Sequence, residues 1–272
     1  MGTVGGFHLR RHNIGLAGAE LYNCCEGNES IESVEDKRHK IWGLLAAAGS
    51  GKRFGGSDPK QYISLLGEPV LLHSLRHLCD FPDIHGVAIG ISKNDRRWAK
   101  LQFRHHRFLG SFTGGSERFL TVANGLEYLL AQGAANTDWV LVHDCARPCL
   151  TREDAKKVRE ALGENNIGIV LGVPVTDTLK RVNEQNEIVD TPPRELYWRA
   201  MTPQCFTIGE LKYCLEQVTA QGLQTITDEA SAVERFGKRP RMIRGREDNI
   251  KITWPEDLHR AEHILSQQEG GR

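Results

Sequence analysis

Residues 116–144 read SERFLTVANGLEYLLAQGAANTDWVLVHD, and they join a helix pattern to a strand pattern. Apolar residues recur at helical spacing through the first half, and the closing WVLVHD is a short apolar run typical of a buried strand. The same alternation extends outward to IWGLLAA at residues 41–47 and IGIVLGVPV at residues 167–175. Strands that alternate with helices predict an α/β fold, in which a mostly parallel sheet carries helices on both faces.

The alternation stops at about residues 174–196, where TDTLKRVNEQNEIVD indicates two short strands around a polar turn. An isolated two-stranded ribbon is only marginally stable in water, so we expect this β-arm to pack against a second subunit. Residues 1–40 lack a sustained period of 2 or 3.6 and are predicted to be a poorly ordered extension. One domain is therefore expected over residues 41–268, followed by a short tail at 269–272.

Local signals predict several helix boundaries. The pattern near residues 94–103 indicates a helix. Ser116 is a candidate N-cap, and Thr227 or Asp228 is a candidate cap for the helix that follows it. Two helix starts fit capping boxes, and these are the pairs Thr207 with Glu210 and Thr253 with Glu256.

Composition excludes several classes of protein. The 272 residues are 39% hydrophobic, and Lys+Arg equals Asp+Glu at 35 each, so no overall basic field favours nucleic acid or a membrane surface. The seven cysteines form neither a CxxC pair nor a regular spacing, which favours reduced thiols in a cytoplasmic protein. No apolar run approaches the roughly 20 residues that a membrane-spanning helix needs.

The segment LLAAAGSGKRFGGSDPKQ, residues 44–61, has the composition of a phosphate-binding loop. It is not a Walker A loop, because Ala46 stands where the first glycine is required and Arg53 where Ser or Thr must bind Mg²⁺. A dinucleotide G-x-G-x-x-G fingerprint is also broken, by Phe54. What remains is a glycine turn with nearby cations, an arrangement that suits a triphosphate.

The pattern G-x-G-x-R followed by P-K-Q resembles the signature of sugar-phosphate nucleotidyltransferases, and more narrowly of the 2-C-methyl-D-erythritol 4-phosphate cytidylyltransferase family. The resemblance covers residues 41–266 and includes further motifs in the same order. These are GGSERFLTV (114–122), WVLVHDCARP (139–148), RELYWRAMTPQCF (194–206), TITDEASAVE (225–234) and GREDNIKITWPEDL (245–258). It implies a Rossmann-like nucleotidyltransferase fold whose projecting β-arm serves dimerisation.

The resemblance implies transfer of CMP from CTP to 2-C-methyl-D-erythritol 4-phosphate, releasing pyrophosphate, in the non-mevalonate route to isoprenoid precursors. The catalytic candidates are Arg53, Lys60 and Lys251, and Mg²⁺ is expected near Asp144. The residues expected to bind the nucleotide are Ala47, Ala48, Gly49, Gly51, Lys52, Gly115, Ser116, Thr121, Asp144 and Arg147. The residues expected to bind the acceptor are Thr178, Arg194, Thr202 and Thr227, with Arg194 reaching into the neighbour's site in a homodimer.

Some of these expectations also follow from the residues themselves. Asp144 ends a predicted buried strand, and ligands of open α/β sheets bind at the carboxyl ends of strands, where an Asp can hold Mg²⁺ or a ribose hydroxyl. No persuasive Ser-His-Asp or Cys-His set is present, and His143 is interpreted as structural. An acceptor that is already an ionised phosphate monoester needs no general base, which fits this observation.

Three alternatives remain open at this point. The acceptor could be another polyol phosphate, such as ribitol 5-phosphate, or the chain could bind CTP without catalysis. The third alternative is a fusion with the next cyclase of the pathway. We do not expect such a fusion, because only SQQEGGR, residues 266–272, follows the last predicted helix.

Overall fold

The computed structural model describes residues 39–49, 59–163, 167–222 and 226–270. All but two residues of the predicted N-terminal extension lie outside these ranges. The strands in chain order are β1 (Ile41–Ala46), β2 (Ser64–Leu65), β3 (Glu68–Pro69), β4 (Ile84–Ile91), β5 (Phe108–Thr113), β6 (Trp139–Asp144), β7 (Ile169–Pro174), β8 (Arg181–Val182), β9 (Ile188–Asp190), β10 (Trp198–Thr207) and β11 (Arg241–Arg244). The helices are α1 (Val70–Cys79), α2 (Arg118–Ala131), α3 (Arg152–Ala161), α4 (Ile208–Ala220), α5 (Glu229–Glu234) and α6 (Glu256–Gly270).

Seven strands form one sheet in the order β11-β7-β10-β6-β1-β4-β5. Strand β1 pairs in parallel with both β6 and β4, and β4 pairs in parallel with β5. Strand β10 is antiparallel to both of its neighbours, β6 and β7. Since β7 and β11 pair in parallel, six of the seven strands run in one direction, and their carboxyl ends share one edge of the sheet.

Helices cover both faces of the sheet, as the alternation of burial along β1 shows. Ile41 and Leu45 pack in a core with α1 and α3, whereas Trp42 and Leu44 pack in a second core with α2, α4 and α5. Successive strand residues point to opposite faces, so a strand that is apolar throughout needs a helix layer on each side. A third, smaller cluster lies under α6.

The predicted α/β class and the mostly parallel sheet are confirmed. The β-arm contains the predicted ribbon, because β8 and β9 pair as a separate two-stranded antiparallel sheet. The helix expected near residues 94–103 is wrong, since only the 3₁₀ turn Trp98–Lys100 forms there. Among the described residues, no helix is both long and apolar enough to cross a membrane.

The predicted capping residues are right only in part. Glu117, not Ser116, occupies the N-cap of α2. Thr207 occupies the N-cap of α4 as predicted, but its side chain makes no cap hydrogen bond, so the predicted capping box with Glu210 does not form. The Thr253 hydroxyl donates to the Lys251 carbonyl instead of accepting from the first turn of α6. Side-chain oxygens have several nearby backbone partners, and tertiary contacts select among them. The alternative Asp228 cap of α5 is present, as a capping box with Ser231.

Candidate active site

A cavity of about 340 Å³ opens at the carboxyl edge of the sheet, and we call it the larger cavity because it is the larger of two that meet at this edge. Strand β1 contributes the chain that follows Ala46, β5 leads into the Gly115 turn, and β6 ends there at Asp144. The residues that line it are Ala46, Ala48, Gly49, Lys60, Gln61, Gly115, Ser116, Glu117, Arg118, Thr121, Asp144, Cys145, Ala146 and Lys251. Most of the residues expected to bind the nucleotide and described by the structure therefore line one cavity.

Gln61 fixes the chain after β1. Its amide nitrogen donates to the carbonyl oxygens of Ala47 at 3.1 Å and Gly49 at 2.9 Å, and the side chain is buried. The neighbouring Lys60 ammonium donates to the Ile252 carbonyl at 2.8 Å, which ties it to the segment that carries Lys251. These bonds place two of the three predicted catalytic cations at the same cavity.

Thr121 fixes the turn that carries Gly115. Its hydroxyl accepts the Gly115 N–H at 3.1 Å and donates to the Glu117 carbonyl at 3.2 Å. A Cβ on Gly115 would lie 2.3 Å from the Leu120 Cβ, so a side chain does not fit this turn without rearrangement. Thr121 thus holds the turn in shape, while the exposed Ser116 lines the cavity directly.

Three cations surround Asp144, whose side chain is only 10% exposed. The Lys251 ammonium lies 2.7 Å from one carboxylate oxygen, Arg118 Nε lies 3.0 Å from the other, and Arg147 Nε lies 3.7 Å away. Burial acts to raise the pKa of this carboxyl, but the three cations outweigh burial and hold the pKa far below its usual range. Asp144 is therefore an ionised oxygen ligand within a positive cluster.

Sequence reasoning missed Arg118 and Glu229. The Arg118 guanidinium donates to both carboxylate oxygens of Glu229, one of them at 3.0 Å, and also to Asp144. A sequence signal existed for Arg118, because a cation as the first residue of a helix opposes the helix dipole and needs a specific partner. Glu229 gave no such signal, since an acidic residue in a first helical turn is ordinary.

A second cavity, of about 170 Å³, lies on the other side of this cluster, and we call it the smaller cavity. Arg118, Asp144 and Lys251 line both cavities. The other lining residues are Arg147, Ala200, Met201, Thr202, Gln204, Thr227 and Asp228. Two predicted acceptor-binding residues, Thr202 and Thr227, therefore lie here together with Arg147, which was expected at the nucleotide.

Arg147 contributes a buried donor to this region. Its Nη1 donates to the Asn249 carbonyl at 2.8 Å, whereas its buried Nε has no hydrogen-bond partner. Buried polar groups in native structures are rarely left unpaired unless a ligand, ion or water completes them. The Arg147 Nε, which lies 3.7 Å from Asp144, is therefore a donor that a bound anion or water would complete.

Neither cavity of this chain is lined by Thr178 or Arg194. Both are exposed on the β-arm, where Arg194 Nη1 donates to the Thr176 carbonyl at 2.5 Å. The predictions for Gly51, Lys52 and Arg53 lie outside the described residues. Ala47 is buried and contributes its carbonyl to Gln61.

His143 and Thr202 form a buried relay behind Asp144. The Asp144 N–H donates to Thr202 Oγ1 at 3.1 Å, and that hydroxyl lies 2.9 Å from His143 Nδ1. His143 Nε2 lies 3.0 Å from the Arg147 carbonyl, which can only accept, so the ring is protonated at Nε2 and accepts from Thr202 at Nδ1. Burial lowers the pKa of His143 to about 4, so the ring is neutral at physiological pH. The relay positions the turn after β6.

Cys145 is the thiol at the larger cavity. Burial raises the pKa of Cys145 to about 12, so the reactive thiolate is not populated near neutral pH. Within the described ranges, no cluster of three His, Cys, Asp or Glu side chains could hold a metal ion by itself. The described part of this cavity presents Lys60, Arg118 and Lys251 around the ionised carboxylate of Asp144.

A family model, two relatives and a crystal structure all match this chain and carry the name of one enzyme family. Residues 41–267 match the model of the family described as 2-C-methyl-D-erythritol 4-phosphate cytidylyltransferase. A protein of that name from Pseudomonas syringae pv. syringae is 45% identical over 225 residues, which cover 83% of this chain and 95% of the relative. One from Hahella chejuensis is 43% identical over 235 residues, covering 86% and 96%. The crystal structure of the Francisella tularensis protein of that name superposes with a TM-score of 0.70 at 31% identity, covering 83% of this chain and 100% of that one.

Proposed function

The chain belongs to the 2-C-methyl-D-erythritol 4-phosphate cytidylyltransferase family, and on that premise we propose that its two cavities bind the two substrates of a CMP transfer. The reaction is CTP + 2-C-methyl-D-erythritol 4-phosphate → 4-diphosphocytidyl-2-C-methyl-D-erythritol + pyrophosphate. It is a nucleotidyltransferase step in isoprenoid biosynthesis. One observation supports assigning one substrate to each cavity: the two cavities share a wall, formed by Arg118, Asp144 and Lys251.

The larger cavity is assigned to CTP. Its volume lies at the lower end of the range of small-molecule sites, and it combines a glycine turn, backbone N–H groups and two lysines. The smaller cavity is assigned to the acceptor, because it is lined by three cations together with Thr202 and Thr227. The α-phosphorus of CTP and the acceptor phosphate would then meet at the shared cluster.

The chemistry requires alignment and charge stabilisation. An ionised phosphate monoester supplies the attacking oxygen, so no side chain has to remove a proton. Negative charge rises on the phosphoryl oxygens and on the departing pyrophosphate, and fixed cations in a partly buried site stabilise that charge most effectively. We assign this role to Lys60 and Lys251, and we keep the prediction that Arg53 joins them.

Asp144 could supply part of the coordination that the expected Mg²⁺ needs. It supplies one ionised carboxylate, and Mg²⁺ at nucleotide sites is commonly held by one or two carboxylates together with phosphate oxygens and water. When bound, the metal would neutralise charge on the phosphates. Both Asp144 oxygens contact cations in this structure, so a metal bound to Asp144 would have to displace Lys251 or Arg118 from one of them.

A pyrophosphate-release assay tests the function and the acceptor together. With CTP, we expect release with 2-C-methyl-D-erythritol 4-phosphate and a much slower release with ribitol 5-phosphate. Faster release with ribitol 5-phosphate would show that the acceptor is a polyol phosphate other than 2-C-methyl-D-erythritol 4-phosphate. CTP binding without release over a panel of polyol phosphates would identify a noncatalytic CTP-binding protein and remove the proposal.

We also propose that the β-arm dimerises the protein. Of the nine large hydrophobic residues that are exposed in the described part of the chain, six lie between residues 182 and 198, and they are Val182, Ile188, Val189, Leu196, Tyr197 and Trp198. A cluster of exposed apolar side chains marks an interaction surface. A second copy of the chain is the occupant we propose, because pairing would bring Arg194 of one arm to the acceptor cavity of the other subunit, where a phosphate suits its planar guanidinium.

Leu196→Asp is expected to weaken this dimer by at least about tenfold, since tenfold corresponds to about 1.4 kcal/mol and an unpaired carboxylate is costlier to bury. Leu196 is 81% exposed in one subunit, so the substitution leaves the core unchanged. Sedimentation velocity should show a dimer for the wild type and a monomer for the variant at micromolar concentration. Tyr213→Asp on α4, also an exposed apolar position, is the matched control and should stay dimeric. A monomeric wild type would contradict the proposal.

A cytoplasmic location stays a prediction. The five cysteines among the described residues are buried free thiols, and they are Cys79, Cys145, Cys149, Cys205 and Cys214.

A further inference from the structure

Glu229 is a buried carboxylate that no part of the transfer chemistry above uses. It is the first residue of α5, its side chain is 1% exposed, and its carboxylate receives two hydrogen bonds from Arg118. Burial raises the pKa of Glu229, and the guanidinium opposes that rise. A buried carboxylate is costly to keep and is retained only with a specific partner.

Arg118 joins this carboxylate to Asp144. Its Nη1 and Nη2 bond Glu229, while Nε and Nη2 lie 3.0 Å from one oxygen of Asp144. A planar guanidinium can hold two carboxylates in a fixed relative geometry, which a lysine cannot do. The position of Asp144 at the end of β6 is therefore set partly from α5.

The start of α5 also forms a wall of the smaller cavity. Thr227 and Asp228 line that cavity and directly precede Glu229. Gln204 holds the same helix start, since its amide donates to the Asp228 carboxylate at 2.8 Å and accepts the Ala230 N–H at 2.9 Å. The Glu229–Arg118–Asp144 bridge thus connects the acceptor side of the site to the nucleotide side.

We infer that Glu229 is a positioning residue: acting through Arg118, it fixes Asp144 relative to the acceptor wall, so that the two bound substrates are aligned for transfer. The inference rests on the proposed function. Without the Glu229 charge, Asp144 would be the single carboxylate left in the bridge. The Arg118 guanidinium would then turn toward Asp144. Alignment of two bound reactants affects turnover more than binding, because small displacements at the reacting atoms lower the rate steeply.

Glu229→Gln tests this inference. We expect kcat to fall by about 10- to 100-fold, the range typical of residues that orient a functional group. The KM for CTP and the calorimetric Kd for CTP should stay within about threefold of the wild type. Glu234→Gln is the matched control, because Glu234 is an exposed glutamate at the other end of α5 and should leave kcat unchanged.

A double-mutant cycle shows whether Glu229 acts through Arg118. If it does, adding Glu229→Gln to Arg118→Ala should change kcat by less than about twofold, since coupled residues are not additive. Arg118→Gln replaces Arg118→Ala if the alanine variant does not fold. Equal effects of Glu229→Gln in both backgrounds, or unchanged kcat in the single variant, would overturn the inference. A wild type that releases no pyrophosphate would instead refute the proposed function, before any variant is compared.

Discussion

Lys251→Ala should lower kcat by about 10²- to 10³-fold, which is the loss measured when one preorganised donor to a developing oxyanion is removed. Lys251 is the lysine that lines both cavities, so it is placed where the α-phosphorus of CTP and the acceptor phosphate would meet. Its side chain is 38% exposed and is held 2.7 Å from Asp144. An ammonium on a flexible stem in this position can leave the carboxylate and follow the charge onto the phosphate.

Steady-state kinetics and thermal unfolding separate this role from a structural one. Because the lysine is expected to act chiefly in the transition state, kcat and kcat/KM should fall together. The melting temperature should change little, since Arg118 and Arg147 still face Asp144. Lys156→Ala, at an exposed position of α3, is the matched control for loss of a lysine and should retain wild-type kinetics. A folded Lys251→Ala protein with nearly full kcat would remove Lys251 from the mechanism.

The fold was predictable because its signals are local. The helix and strand patterns of residues 116–144 depend on neighbours within one or two turns, and both elements form as expected. The wrong elements are those where side-chain hydrogen bonds, local or long-range, compete with the helix preference. Near residues 94–103, for example, Asp95 accepts the Tyr62 hydroxyl at 2.7 Å, and its carboxylate holds the Arg97 and Trp98 N–H groups in a turn instead of a regular helix.

The candidate site was predictable only in part, for the same physical reason. Asp144 follows from its position at the end of a buried strand, and the turn at Gly115 follows from the glycine pair at residues 114–115. The Arg118–Glu229 bridge joins residues 111 positions apart, and no pattern along one chain specifies such a pair. Thr202 shows that a role implied by resemblance can differ from the contacts that the side chain makes. The resemblance implies a substrate contact for Thr202, whereas the structure shows its hydroxyl bonded to His143 and to the Asp144 N–H, at the wall of the smaller cavity.

Asp144→Asn should lower kcat by at least about 100-fold while leaving a protein that folds. The carboxylate is the anion at the centre of three cations, and the neutral amide has nearly the same shape. Leaving a buried hydrogen-bonding group without its partner costs about 1–3 kcal/mol, and more when the group is charged and fully buried. We expect a value within this range, because Glu229 still holds Arg118 and because Lys251 reaches solvent.

Pyrophosphate binding distinguishes loss of function from loss of structure in this variant. Without the Asp144 charge, Arg118, Arg147 and Lys251 have fewer negative partners, so metal-free pyrophosphate should bind at least as tightly as it does to the wild type. Calorimetric titration measures that affinity, and CTP-dependent pyrophosphate release measures turnover. Tight pyrophosphate binding with lost turnover would show that the carboxylate serves the reaction and not the assembly of the cation cluster. Weaker binding in a folded variant would show the opposite, namely that Asp144 is needed to hold the cations in place.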